Sequence, residues 1–217
     1  MIKVQRATFA CLCLYLLHVS VGNDVGPTRI GGSTKKSIAA FNKANDDYSK
    51  GKSTAALEGY KAAIDHGAKG DLLSTCYYNY GVLLRGMGKI ELALGAYEAA
   101  TKSDPASKRA RNNLCNLHRS LKLYSRAVEC YKELSKLQPD DGMTQALIGD
   151  AMFFAHAEIK VQKGETPAEK AKMRRGVVKH LKAAVRLDPS LSDVYANIGK
   201  MYEDGGQIPL SCIDSTV

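Results

Sequence analysis

The sequence predicts an all-α protein, a solenoid of about four and a half antiparallel helix pairs in which the fourth pair has elongated helices. Three observations predict it. Apolar residues recur at i, i+3, i+4 and i+7 in successive short stretches, the signature of amphipathic helices. The stretches come two to a unit and the units repeat, so that Ala93 and Ala127, Tyr97 and Tyr131, and Pro105 and Pro139 are each 34 residues apart. The units end on Asp104–Pro105 and Gln138–Pro139, where proline forces the residue before it out of helical geometry. One helix hairpin cannot bury its apolar stripe alone, so such units must stack on one another.

The N-terminus is set apart. Lys3 and Arg6 precede an apolar run from Ala7 to Gly22, and small Ser20 and Gly22 stand at cleavage-site spacing before Asn23. Residues 1–22 read as a secretory signal peptide. The run is shorter than the roughly 20 residues a membrane span needs. A retained signal anchor is the alternative, and the only membrane attachment expected. Removal of Lys3 and Arg6 takes the net charge from +9 to +7. Residues 23–36, rich in glycine and polar side chains, read as a mobile leader.

The array follows. Repeat one (37–70) is marked by Gly51, Ala56, Tyr60 and Ala63. Its opening helix carries Ile38, Phe41, Ala44 and Tyr48, one residue out of phase with the later units, which a turn longer by one residue would restore. Repeats two (71–107) and three (108–141) are regular, with small Gly81, Ala93, Cys115 and Ala127 allowing close approach of paired helices. The fourth (142–191) closes on Pro189, 50 residues after Pro139 instead of 34. Its extra residues are helix-forming and include Thr166–Glu169, a capping box with proline at the first helical position. Each helix of that hairpin should run about two turns longer than the others. Residues 192–206 begin a fifth unit, with Tyr195, Ile198, Gly199, Tyr202 and Gly206. Its second helix is missing from 207–217, where Ser211, Ser215 and Pro209 replace the expected pattern. A truncated or alternatively spliced chain with an unstructured tail is the expectation there.

At these residues the sequence resembles the tetratricopeptide repeat (TPR) family, whose pattern is W-x2-L-G-x2-Y, A-x3-F, P. Tyr77, Tyr80, Gly81, Leu84, Gly88, Ala93, Tyr97, Ala100 and Pro105 match it, and so do Leu114, Cys115, His118, Ala127, Tyr131, Leu134 and Pro139. The resemblance implies a concave face lined by the first helix of each repeat, with Asn79, Asn113 and Asn197 at one pattern position and Leu147 interrupting them. An asparagine offers a donor and an acceptor and can pair with the backbone of an extended peptide. The TPR array of O-linked N-acetylglucosamine transferases is similar in using an asparagine ladder. Asn112, Asn116, Arg109 and Arg119 add polar and cationic groups beside it, and Tyr78 and Phe153 apolar contact. The carboxylate clamp of chaperone-binding TPRs is incomplete here, because Tyr78, Val82 and Asn113 stand where it needs other residues.

No enzyme constellation rises above background: there is no glycine-rich phosphate loop, G-x-S-x-G or H-E-x-x-H. No cofactor or metal is expected, and the cysteine spacing fits no metal motif. His66, His118, His156 and His180 are scattered, with His118 at an inward position as a hydrogen-bonded core histidine. Cys76, Cys115, Cys130 and Cys212 remain after signal removal. Cys115 reads first as a buried thiol, although an oxidising compartment would permit a Cys115–Cys130 bridge. Lys108, Arg109, Arg111, Arg119, Lys122 and Arg126 cluster in repeat three, and Lys160, Lys163, Lys170, Lys172, Arg174 and Arg175 on the long hairpin. The plain reading is solvated helix faces; the sharper one is an acidic partner. Nucleic acid is not expected behind a secretory signal. The function expected is therefore non-catalytic binding of extended peptide segments in the ER lumen or outside the cell. The rival is the N-terminal portion of an enzyme, since arrays resembling this one precede glycosyltransferase, methyltransferase and prolyl hydroxylase modules.

Overall fold

The structure is a computed structural model that describes residues 31–163 and 166–191. The segments expected to be a signal peptide, a partial fifth repeat with Asn197, and a tail lie outside those residues. Eight α-helices form four consecutive pairs among the described residues: α1 (Lys35–Ser49) with α2 (Ser53–Asp65), α3 (Gly70–Gly86) with α4 (Ile90–Ser103), α5 (Lys108–Ser120) with α6 (Tyr124–Leu137), and α7 (Gly142–Lys163) with α8 (Pro167–Leu187). Each helix packs against the next along the chain. The last pair is longer, as its spacing predicts, at 22 and 21 residues against 13 and 14 in the third. Thr166 and Glu169 form the capping box that starts α8.

One turn design closes the first three pairs. Gly51, Gly88 and Lys122 sit in the left-handed region at φ 73°, 73° and 60°. In each turn that residue's N–H reaches back three residues and the next N–H five: Gly88 to Arg85 and Lys89 to Leu84, at 3.0 and 2.9 Å. This is a Schellman motif, which satisfies the last carbonyls of the first helix. Lys122 stands where the other turns have glycine. The second helices end differently. Asp104 and Asp188 adopt extended backbone before their prolines, and Gln138 (φ −144°, ψ 75°) likewise leaves helical geometry before its own. Repeat one has no such proline, and Gly67 (φ 88°) closes α2 with a further Schellman pair. The extra residues that make this repeat 37 long lie in that connection.

In each of the first three pairs a close approach falls on two residues 15 apart. A Cβ added to Gly59 would lie 2.8 Å from Ala44 Cβ, and one added to Gly81 would lie 3.3 Å from Ala96 Cβ. In the third pair the equivalent residues are Cys115 and Cys130, and they are joined by a disulfide with Cα atoms 5.2 Å apart. The buried-thiol reading of Cys115 is therefore corrected: the crossing brings these Cα atoms within disulfide range. Cys76 is free and buried, and burial pushes its thiol up to about 12. The phase of repeat one is corrected as well. Ala44 and Gly59 keep the same 15-residue relation, so no longer turn is needed and Ala44, not a neighbour, is the crossing residue. The leader is shorter than expected, because Thr34 caps α1 through Ser37 N–H and donates to the His66 carbonyl at 2.6 Å.

One residue past each crossing, a tyrosine of the second helix fills the core. Tyr60, Tyr97 and Tyr131 are each at most 1% exposed. Tyr60 donates to Asn45 Oδ1 at 2.7 Å and Tyr131 to Asn116 Oδ1 at 2.6 Å. The equivalent residue for Tyr97 is Val82, which accepts nothing. The Tyr97 hydroxyl is buried with no hydrogen bond of good geometry, its polar neighbour being the Arg85 guanidinium.

Two outcomes test this packing. Tyr60→Phe and Tyr131→Phe should each cost about 1 kcal/mol in denaturant melts, whereas Tyr97→Phe should be neutral or stabilising. Equal losses at all three would refute the pairing. Reduction of the Cys115–Cys130 bridge, which closes a 15-residue span, should lower unfolding free energy by about 3 kcal/mol. An unchanged melt on reduction would refute it.

Candidate functional site

The first helices α1, α3, α5 and α7 share one register, counted from their crossing residues Ala44, Gly81, Cys115 and Gly149. Two places before the crossing stand Asn42, Asn79, Asn113 and Leu147. Asn42 was missed by the sequence reading, which held repeat one out of phase; the 15-residue crossing relation is the signal that finds it. Leu147 is buried at 4% exposure, so the amide series runs over three helices among the described residues and stops. Asn197 would resume it, but lies outside them.

Side chains join these helices to one another. Asn113 Nδ2 donates to the Tyr78 hydroxyl (3.4 Å) and to the Arg109 carbonyl (3.1 Å), which commits both amide protons. Its Oδ1 makes no hydrogen bond among the described residues, so the acceptor half of this half-buried amide is unpaired there. Asn79 neighbours the buried Tyr60 hydroxyl. The Arg109 guanidinium lies 5.7 Å over the Tyr78 ring, a cation–π contact. Burial raises the Tyr78 phenol, while Arg109 and then Asn113 oppose the shift. Asn116 accepts from Tyr131 and donates to Asn112 Oδ1 at 3.3 Å. Arg119 Nε bonds Asp150 Oδ2 at 2.7 Å across the α5–α7 step, with the two side chains 16% and 23% exposed.

The structure thus brings Tyr78, Asn79, Arg109, Asn113, Asn116 and Arg119 onto one face and qualifies their roles. Arg119 is committed to Asp150, and Asn116 to holding Tyr131. Phe153 packs edge-on against Phe154, which stacks on Tyr124 at 5.0 Å. His118 is a core histidine, but its Nδ1 lacks the hydrogen bond expected for it. Burial lowers its pKa, with Glu98 opposing. His180 Nδ1 pairs with Gln145 Oε1 at 2.9 Å. Lys172 and Arg175 of the long hairpin are exposed, while the side chains of Lys160, Lys163 and Lys170 lie outside the described residues. Among the described residues no three of His, Cys, Asp and Glu converge on a metal-sized site, and no helix is long and apolar enough to cross a membrane.

Known proteins bear on the fold. Residues 78–142 match the family model described as tetratricopeptide repeat. Comparison with curated protein sequences finds no match. Among solved structures, a MamA RS-1 ArsTM double mutant is 18% identical over 81% of this chain and 88% of its own, with a TM-score of 0.62. MamA 41-end from Desulfovibrio magneticus RS-1 is 17% identical over 80% and 87%, at 0.61. YrrB, titled a TPR protein with an unusual peptide-binding site, is 15% identical over 75% and 74%, at 0.56. At such identities the likeness is one of fold, and it agrees with the helix pairs and the 34-residue period: residues 78–142 match the tetratricopeptide repeat, and the described chain folds as a solenoid of such helix pairs.

Proposed function

We propose that the face formed by α1, α3 and α5 binds extended polypeptide through its backbone, without catalysis of its own. The observation that carries this is the row Asn42, Asn79 and Asn113 at one register position on successive first helices. Asn42 is exposed and Asn113 presents an unpaired acceptor. A peptide N–H facing Asn113 Oδ1 makes a bond that does not depend on the peptide's side chains. Neighbouring helices pack about 10 Å apart, and an extended chain advances about 3.3 Å per residue. Three asparagines so spaced match a segment of roughly seven residues. YrrB's peptide-binding site supports the reading by analogy of fold. The secretory setting draws support from the Cys115–Cys130 bridge, since such bonds persist in oxidising compartments.

The test is direct. Panning a displayed random heptapeptide library on the immobilised full chain should yield binders. Asn113→Ala should weaken unrelated binders about equally, by roughly fivefold for one hydrogen bond near 1 kcal/mol. Fluorescence polarisation on two binders of different sequence measures it, and unchanged affinity for both would remove the backbone track.

A further inference from the structure

The Arg119–Asp150 pair has a counterpart one repeat earlier, and the counterpart is incomplete. Arg119 lies four places after its crossing residue Cys115, and Asp150 one place after Gly149 on the next first helix. Thirty-four residues back, the same two places hold Arg85 on α3 and Asn116 on α5. The cation is kept and the carboxylate is replaced by a neutral amide. That amide is already engaged, its Oδ1 by the Tyr131 hydroxyl and its Nδ2 by Asn112. Among the described residues Arg85 makes no ion pair, and its side chain is half-buried.

A second irregularity falls at the same level. Val82 replaces the asparagine that serves Tyr60 and Tyr131 in the pairs on either side, so the fully buried Tyr97 hydroxyl beside Arg85 lacks an acceptor. Tyr48 and Tyr78 are further polar neighbours, and both bring phenols rather than carboxylates. This one level of the face therefore collects hydrogen-bond donors, one of them cationic, and among the described residues no carboxylate pairs with that cation. The α5–α7 level shows what a satisfied version looks like: a carboxylate on the guanidinium Nε at 2.7 Å.

We infer that Arg85 takes a carboxylate from the bound polypeptide, in the place Asp150 occupies on Arg119, making the face selective for a segment with one acidic group at a fixed position. The inference rests on the peptide-binding reading and adds a side-chain requirement to a backbone track. The carboxylate can come from an aspartate or glutamate side chain or from a free C-terminus, because the guanidinium recognises the group and not its origin. Charge-assisted pairing with a half-buried guanidinium discriminates strongly between a carboxylate and its isosteric amide.

The experiment uses heptapeptides recovered by panning on the full chain, each remade as a pair differing only by glutamate or glutamine at one position, and each with a free or an amidated C-terminus. Wild-type protein should bind one carboxylate form about tenfold more tightly than its amide, and the ratio should shrink as salt rises. Arg85→Gln should bring the ratio close to one. Asn113→Ala should weaken both members and leave the ratio near ten, which separates loss of the backbone track from loss of the anion site. Sensitivity to C-terminal amidation alone assigns the site to a chain end, and sensitivity to glutamine alone assigns it to a side chain. Binders that show no preference for a carboxylate, or a preference that survives Arg85→Gln, overturn the inference while the peptide-binding reading stands. A library that yields no specific binder overturns both.

Discussion

The close crossing inside each helix pair is the constraint on which the rest of the structure depends. Ala44 against Gly59, Gly81 against Ala96, and Cys115 against Cys130 allow backbones to approach where larger side chains would hold them apart. A Cβ on Gly81 would already press on the Tyr97 ring at 2.9 Å. Fixing this contact fixes the rotation of each first helix about its axis. With 3.6 residues per turn, a change of one residue in the contact would turn the helix by about 100°. The residues two before and one or four after the crossing would then leave the shared face. The asparagine row, the tyrosine acceptors and the Arg119–Asp150 pair are all consequences of one steric fact repeated along the chain.

The polar layer beneath the face adds a second constraint. A phenol in the core needs an acceptor, because a buried hydroxyl without one costs on the order of 1–3 kcal/mol. Asn45 and Asn116 answer that need, which is why two asparagines of the first helices point inward to a tyrosine. These are packing residues with respect to the fold even though they lie beside the asparagine row. Asn113 differs in kind, since its donors brace Tyr78 and the α5 backbone while its acceptor stays available. An identical residue type thus serves opposite roles three residues apart on one helix.

Much of the fold was legible in the sequence because its signals are steric and local. The 34-residue spacing, the pre-proline helix ends, the Thr166–Glu169 box and the long fourth hairpin all follow from backbone rules that read directly from residue types. What escaped depends on relations between positions. Repeat one closes on Gly67 rather than proline and is three residues longer, and phasing its opening helix by the apolar stripe Ile38, Phe41, Ala44 and Tyr48 misplaced it and hid Asn42. Lys122 fills a left-handed turn position against its own conformational preference, and only alignment with Gly51 and Gly88 shows it. Cysteine at a small-residue position reads equally as a thiol or as half of a bridge until its partner across the crossing is known. The commitments of Arg119 and Asn116 were invisible for the same reason: their partners lie on another helix.

The fourth pair shows how one register can change character without changing fold. At the place of Asn113, α7 has buried Leu147; at the place of Asn116, it has Asp150. Leu147 closes the amide row with apolar surface that joins the main core. Asp150 neutralises the last arginine of α5, so positive charge does not continue across this step. The same substitutions read in reverse define the middle of the array, where Val82 offers the Tyr97 hydroxyl no acceptor and Asn116 stands where a carboxylate would meet Arg85. Because the backbone geometry is held constant by the crossing, each such exchange alters hydrogen bonding and charge at one level only. Recognition can therefore be tuned repeat by repeat while every helix keeps its place.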